Sequence, residues 1–501
     1  MILRPELEDY KIIGYYLGKV TIGIGLCMLI PLGIAKLYAE AAPMVDYLLS
    51  ISFTMLAGCV LMMLCHTKCD LETRHAMAVS ALSWLVAMFV SAVPLFLSGH
   101  FTSYLDACFE SMSGYATTGL SLARDLDHMA RSHNFWRHLI MFIGGQGIVV
   151  IALTFLFKGT AGAFRMYAGE ARDEKILPNV VQTARFIWIV SIVYLVIGSA
   201  ALCASAMMGG MKPSDALFDS VCIFMAGFDT GGFTPHSQSL LFYHNFIFEL
   251  IVIVVMFMGS INFALHYAVW TGNRKEMFRN IEIVALFITM SASLSIIAWG
   301  LIDNNIYSGL MPFFGKAFFQ LVSAHTGTGY STIYPRQFVN EWRALSMVGL
   351  TLAMAIGGSV CSTTGAIKLL RIGVIYKALR QDIKKMLLPD TAVLMQKVHH
   401  IKDAMLEDRH VRSAALILLS YLVLYFIGTV VGMLCGFSLS DASFESVSAA
   451  ANVGLSCGIT SPVMPSILKI TYIVQMWAGR LEFMAIFVLI GMIFSTVKGR
   501  R

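Results

Sequence analysis

A chain of 501 residues that is 57% hydrophobic and only 13% charged, with a mean hydropathy of +0.73, cannot hide its apolar surface in a water-soluble core and belongs in a bilayer. The formal charge is +6, and most Lys and Arg residues fall in loops on one side, which the positive-inside rule makes cytoplasmic. The ten cysteines are scattered through apolar stretches without a second metal-spaced pair, and no His-Glu-x-x-His, phosphate loop or nucleophile–base spacing speaks for a membrane enzyme.

Two apolar runs come first, about residues 12 to 38 and 46 to 66. They read as a retained transmembrane hairpin within residues 1–70, the first run being too long for a cleaved signal. A four-part unit follows: a span at about 76 to 98, a short amphipathic piece at 102 to 116, a Gly/Thr run, and a second span at about 138 to 157. The short piece cannot cross a bilayer, which takes about twenty residues, and its Gly/Thr ending suits extended backbone facing a cavity, so a re-entrant helix is expected.

The unit recurs three times, with spans at about 186 to 211 and 245 to 270, 281 to 302 and 344 to 370, and 411 to 437 and 468 to 496. The repeats divide the chain into 71–165, 180–275, 280–375 and 411–501, with a basic connection at 376–410. The fold class expected is an all-α polytopic membrane protein, four pseudo-repeats of helix, re-entrant pore loop and helix around a central pore, plus the N-terminal hairpin.

The repeats align on Gly119, Gly232, Gly329 and Gly454. Before them stand Thr118, Gly231, Thr328 and Val453, and before those Thr117, Thr230, Gly327 and Asn452. A ring of backbone carbonyls replaces the water shell of a cation without any charged side chain, and glycine supplies the unusual dihedrals such backbone needs. These twelve residues are the expected selectivity filter. The short helices would turn the negative ends of their dipoles to the same axis. Asp106, Asp219 and Asp441 lie thirteen residues before the glycines, Glu110 and Glu445 nine before, with Lys316 and Gln320 in the third repeat. They read either as helix-start stabilisation or as cation attraction at the outer mouth.

A second recurrence sits in the later spans: Gly144-Gly-Gln-Gly147, Gly259-Ser-Ile-Asn262, Gly357-Gly-Ser359 and Gly479-Arg-Leu-Glu482. The third is extended by Ser362, Thr363, Thr364 and Gly365. It reads either as close helix packing or as a break forming an obstructing loop, with Gly357, Gly358, Ser359, Ser362, Thr363, Thr364 and Gly365 as the gate. As the spans are drawn, Arg480 is the only arginine deep in one, and it is expected to project into the pathway and contact that loop. His399-His400 in the basic connection reads as a solvated pair.

The Gly357-Gly-Ser…Thr-Thr-Gly-Ala-Ile-Lys-Leu-Leu-Arg371 stretch, Asn262-Phe-Ala-Leu-His-Tyr267 and Gly479-Arg-Leu-Glu482, with the four glycine elements, resemble the Trk/Ktr/HKT superfamily of potassium translocators. The N-terminal hairpin and Lys175…Pro178…Gln182-Thr-Ala-Arg185 look most like its TrkH/TrkG branch. The resemblance implies potassium uptake across a bacterial inner membrane and K+ at the filter residues. It also implies a homodimer with one pore per chain, both termini cytoplasmic, and control by a cytosolic TrkA-type nucleotide-binding subunit docking on basic loops. It implies no cofactor and no nucleic-acid partner. Glycine at 119 favours potassium over sodium within that superfamily, while Asp229, His325 and Asn452 depart from its pattern. A proton- or sodium-coupled secondary transporter is the competing class.

Overall fold

The structure, a computed structural model, describes residues 5–67, 69, 71–148, 180–303, 306, 309–389 and 396–498. The connection through Lys175 and Pro178 and the end of the 138–157 run lie outside the described residues. Among the described residues, apart from one two-stranded hairpin, β1 (Lys397–His400) and β2 (Lys402–Met405), the regular structure is helical.

Apolar runs with no water to receive their backbone groups must close their hydrogen bonds internally, and helices do so. Among the described residues six helices are long and apolar enough to cross a membrane: Leu7–Leu37, Ala41–Leu64, Thr73–Leu97, Val181–Met208, Ile281–Ile302 and Asp408–Leu434. Their outward faces expose Leu56, Val196, Phe287, Leu419 and Phe426, while Ser, Thr and Asn side chains are buried inside. Water would not tolerate that distribution, but lipid does.

The first of these helices is interrupted at Met28 into α1 (Leu7–Cys27) and α2 (Leu29–Leu37), close before Pro31, whose missing N–H cannot continue the ladder. It packs on α3 (Ala41–Leu64) at Gly18 and Gly58, where a Cβ on either would press on the other's carbonyl oxygen; this is the small-residue packing of membrane helices. Glu40 at the turn accepts the N–H groups of Arg131 and Ser132 at 2.7 and 3.1 Å, capping α6 (Arg131–Gln146). The hairpin is thereby fixed to the helices after α4 (Thr73–Leu97) and the short α5 (Tyr104–Tyr115). The chain ends meet on one face, where the Tyr10 and Thr496 hydroxyls lie 2.6 Å apart.

Later elements follow the same order: α7 (Val180–Met208), α8 (Pro213–Phe228), then α9 (Phe246–Ser260) and α10 (Phe263–Trp270). Next come α11 (Glu276–Arg279), α12 (Ile281–Asp303), and a short element that passes through a π-helical turn, Phe313–Phe318, into α13 (Phe319–His325). After α14 (Pro335–Asn340), α15 (Arg343–Ile356) and α16 (Leu369–Met386), the hairpin leads to α17 (Asp408–Leu434), α18 (Leu439–Ala450), α19 (Ser466–Arg480) and α20 (Met484–Lys498).

The later spans are not the continuous helices that their hydropathy suggests. The run at 245–270 is α9 and α10 at 102°, and the run at 468–496 is α19 and α20 at 112°. The 344–370 run holds only α15 before the chain leaves helix at Gly357, and α6 stops at Gly147. Local chemistry makes the breaks. Asn262 restarts a helix as N-cap, its Oδ1 accepting Ala264 N–H at 2.8 Å. The orphan carbonyls are taken up elsewhere, Met258 O by His266 Nε2 at 2.9 Å and Gly479 O by Tyr421 Oη at 2.7 Å.

Candidate functional site

Four short helices, α5, α8, α13 and α18, end in one cap. The N–H groups of Thr117, Thr230, Gly327 and Asn452 bond back to Gly114, Gly227, Ala324 and Ala449 carbonyls, and those of Thr118, Gly231, Thr328 and Val453 to Ser113, Ala226, Ser323 and Ser448. This paired closure requires a left-handed residue directly after the helix, and φ is 51°, 51°, 70° and 56° at Thr117, Thr230, Gly327 and Asn452. Only one of the four is glycine. A β-branched residue at positive φ is strained, and both threonines are held from one point: Thr230 Oγ1 lies 3.1 Å from Thr363 Oγ1, and Thr117 Oγ1 donates to Thr363 O at 3.4 Å.

Two residues on, φ is again positive at Gly119, Gly232, Gly329 and Gly454, at 87°, 73°, 81° and 90°. Here glycine is demanded twice, by dihedral and by space. A Cβ on Gly119 would run into the carbonyl oxygen of Gly231, on Gly232 into that of Thr328, on Gly329 into that of Val453, and on Gly454 into that of Thr118. The four segments therefore touch in chain order and the fourth closes on the first. All four glycines line one cavity of about 240 Å³.

Side chains behind the ring fasten it. Glu110 accepts Ser121 Oγ and Leu122 N–H at 2.9 Å each. Glu445 collects Cys457 and Ile459 N–H at 3.1 Å and Thr460 Oγ1 at 2.6 Å, and Gln320 donates to Ser331 Oγ at 3.2 Å. The side chain nine residues before the glycine thus staples the strand that leaves it, in three of the four segments, a role neither sequence reading foresaw. Asp106 is fully buried against Lys469 at 2.6 Å. Asp219 receives His236 Nε2 at 2.9 Å and Tyr243 Oη at 3.0 Å. Both carboxylates are engaged by protein rather than open at a mouth.

Arg480 is not the only deep arginine: Arg137 in α6 is wholly buried, its guanidinium 2.7 Å from Glu110 Oε1, 3.3 Å from Thr234 O and 4.2 Å above the Phe233 ring. Hydropathy drew this span to begin one residue later, which hid it. Asp229, His325 and Asn452 are held by neighbouring elements: Asp229 takes Gln146 Nε2 at 2.8 Å, His325 meets Thr289 Oγ1 at 2.8 Å, and Asn452 donates to Thr118 Oγ1 of the first ring segment at 3.1 Å and to Met476 O of α19 at 3.0 Å.

Below the ring, residues 357–368 leave helix with positive φ at Gly357, Cys361, Ala366 and Lys368. The loop lies on the break between α9 and α10, where Ser359 N–H bonds Ser260 O at 3.0 Å and Thr363 Oγ1 lies 2.9 Å from Gly259 O. Ser362 Oγ meets Thr364 Oγ1 at 2.8 Å. A Cβ on Gly358 would press on Ser260 O, and one on Gly365 on Ala451 O. Arg480 donates to Thr363 O and, on its far side, to the Gly144 and Gly145 carbonyls at 2.8 and 3.1 Å. These three partners are main-chain oxygens from two other segments. Glu482, buried at a residue with φ 50°, holds Lys368 Nζ at 2.8 Å and Arg371. Sequence reading placed Glu482 in the motif without a role. The signal available was the run of two basic residues directly after the loop.

His399 and His400 are not a solvated pair. His399 bonds Asp403 at 2.6 Å and Glu276 at 3.1 Å, and His400 Nδ1 lies 3.4 Å from Asn280 Oδ1.

Helices of spanning length, short helices that converge from several places in the chain, and a closed backbone ring around one cavity define a multi-span membrane protein. The sequence matches the TrkH family, described as cation transport protein, over residues 46–298 and 313–495, and the chain belongs to that family. It is 32% identical to a cation transporter of Methanocaldococcus jannaschii, covering 99% of both chains. It is 27% identical to the Trk system potassium uptake protein TrkG of Escherichia coli, covering 96% of this chain and 97% of that one. The crystal structure of the potassium transporter TrkH from Vibrio parahaemolyticus shares the fold, with a TM-score of 0.80, 24% identity, and coverage of 96% and 98%.

Proposed function

We propose that this chain takes up potassium across the inner membrane of its cell, through a filter of main-chain carbonyls at residues 117–119, 230–232, 327–329 and 452–454. The observation that carries the reading is the closed circuit of the four glycine segments around one cavity. Backbone that alternates between positive and negative φ turns successive carbonyls to one side of a strand, which is how a main chain coordinates a dehydrated monovalent cation. The repeats 71–165, 180–275, 280–375 and 411–501 each supply one wall, and 1–70 is an appended hairpin. The loop of Gly357, Gly358, Ser359, Ser362, Thr363, Thr364 and Gly365, pinned by Arg480, obstructs the passage below the filter and acts as its gate.

The basic 376–410 connection and both chain ends face the cytoplasm, where a nucleotide-binding ring of the TrkA kind docks, and two chains pair with one pore each. Support for potassium comes from the TrkG and TrkH relatives, which are Trk system potassium uptake proteins. Rubidium uptake into liposomes holding the purified chain tests the reading, with potassium, sodium and caesium as competitors. Saturable competition by potassium but not by sodium is expected. Uptake that requires a proton or sodium gradient would replace the channel-like reading by a coupled one.

A further inference from the structure

A contact behind the loop has no part in the transport path itself. Glu282, at the start of α12, is fully buried, and its Oε1 accepts the backbone N–H of Val360 at 2.7 Å. Its other oxygen faces His400 Nδ1 at 3.8 Å, and Asn280 Oδ1 both takes the Glu282 N–H at 2.9 Å and lies beside the same imidazole. His400 closes strand β1. One residue earlier, His399 grips Glu276 of α11, and Lys377 of α16 donates to Lys397 O at 2.8 Å. The hairpin therefore leans on α11 and on α16, the helix that follows the loop, and one carboxylate lies between hairpin and loop.

Buried main-chain N–H groups outside regular structure need an acceptor, and an ionised carboxylate is the strongest one available. A carboxylate so deep is stable only while neighbouring positive charge and donors are kept in place. Drawing His400 away removes one of them, and the carboxylate is then favoured to rotate outward and drop Val360. We infer that Glu282 is a positioning residue for the loop, and that the 397–405 hairpin, acting through His400, sets how firmly Glu282 holds it. A partner that docks on the cytoplasmic face and shifts the hairpin would loosen the loop without touching the ring. This rests on the reading of the loop as a gate.

The test is rubidium flux through the full chain in liposomes without any partner, at matched incorporation and with monodispersity checked by gel filtration. E282A is expected to raise flux about tenfold or more, the population shift that follows loss of one charge-assisted hydrogen bond. E282Q, whose amide oxygen still accepts Val360 N–H, should raise it less. H400Q should raise flux alone and add nothing to E282Q. The rubidium-over-sodium ratio should not move in any of these, because the filter is untouched. Flux at or below the wild-type level in E282A, or multiplying effects of H400Q and E282Q, overturns the inference. R480A separates it from the gate reading: R480A raised with E282A unchanged sinks the Glu282 role alone, while neither raised sinks the gate as well.

Discussion

At the ring, four segments carry the same cap, a left-handed residue in the same place and the same glycine. At the loop below, one segment departs from the other three and is tied down by Thr363, Lys368 and Arg371 to Arg480 and Glu482. The ring packs main chain against main chain, where the neighbour of each glycine is another strand of the ring. Such a contact has no rotamer to change, and any shift is passed round the circuit. The loop is held by a few main-chain bonds to the break between α9 and α10 and, beyond those, by side-chain bonds to carbonyls and carboxylates that can break while the backbone elsewhere stays put. On the proposed function, a rigid ring suits the fitting of an ion and releasable side-chain bonds suit a gate.

The largest effect is expected from a methyl group in the ring. G232A or G329A puts a Cβ against the next segment's carbonyl and asks an L-residue to hold positive φ, which by itself costs about 1–2 kcal/mol. Displacements of about 1 Å at a positioned site cost on the order of a hundredfold in rate, so rubidium uptake should fall by at least that much while the protein remains monodisperse. Uptake near the wild-type level would break the proposed contrast at its rigid end.

Next in size is R137A, which strands Glu110 as a buried charge. Loss of one partner of a buried pair costs about 3–5 kcal/mol, read as a lower melting temperature in detergent. Since Arg137 also reaches Thr234 O and the Phe233 ring, the preference for rubidium over sodium should narrow as well. Conversely, R480A frees Thr363 O and the Gly144 carbonyl. With hydrogen bonds to charged groups worth about 1.5–3 kcal/mol, flux should rise about tenfold with selectivity kept, and unchanged flux would remove Arg480 from gating.

The smallest effect concerns His236, in the loop that follows the second ring segment. Burial lowers its pKa, but hydrogen bonds and charge from Asp219 and Asp127 outweigh burial and hold it above the usual histidine value. Its two nitrogens face the two carboxylates at 2.9 and 3.1 Å, so only the imidazolium donates to both. A pKa raised by folding contributes stability below the unfolded value of about 6.5, and that contribution is lost as pH rises through the folded value. The melting temperature should therefore decline from near neutrality upward, and H236Q should flatten that slope. A slope that H236Q leaves unchanged would detach this bridge from the outer face.

Much of this arrangement was legible in the residue order, because it rests on local chemistry. Gly119, Gly232, Gly329 and Gly454 announce themselves by repetition, and the glycines at 144, 259, 357 and 479 mark where the later spans break. Hydropathy misled at those spans, since 245–270 and 468–496 are apolar on average yet bend by 102° and 112°. Composition averages over a window and does not register a restart signal such as Asn262. The same averaging left Arg137 outside its span. The acids at 106, 110, 219 and 445 looked like helix-start charges because their partners, Lys469, Arg137, His236 and Thr460, lie in other elements.

From its order of residues alone this chain was committed to a bilayer, to four glycine-bearing turns and to breaks at named glycines, since apolarity, left-handed dihedrals and helix interruption are properties of short stretches. The tertiary structure alone decided which segment abuts which, that Arg480 reaches carbonyls of α6, and that Glu482 and Glu282 are tied to the loop. Those partners stand far apart in the chain, as with Asp106 and Lys469, separated by 363 residues. Contacts of that kind are selected by packing of whole helices, for which no short pattern of residues carries a code.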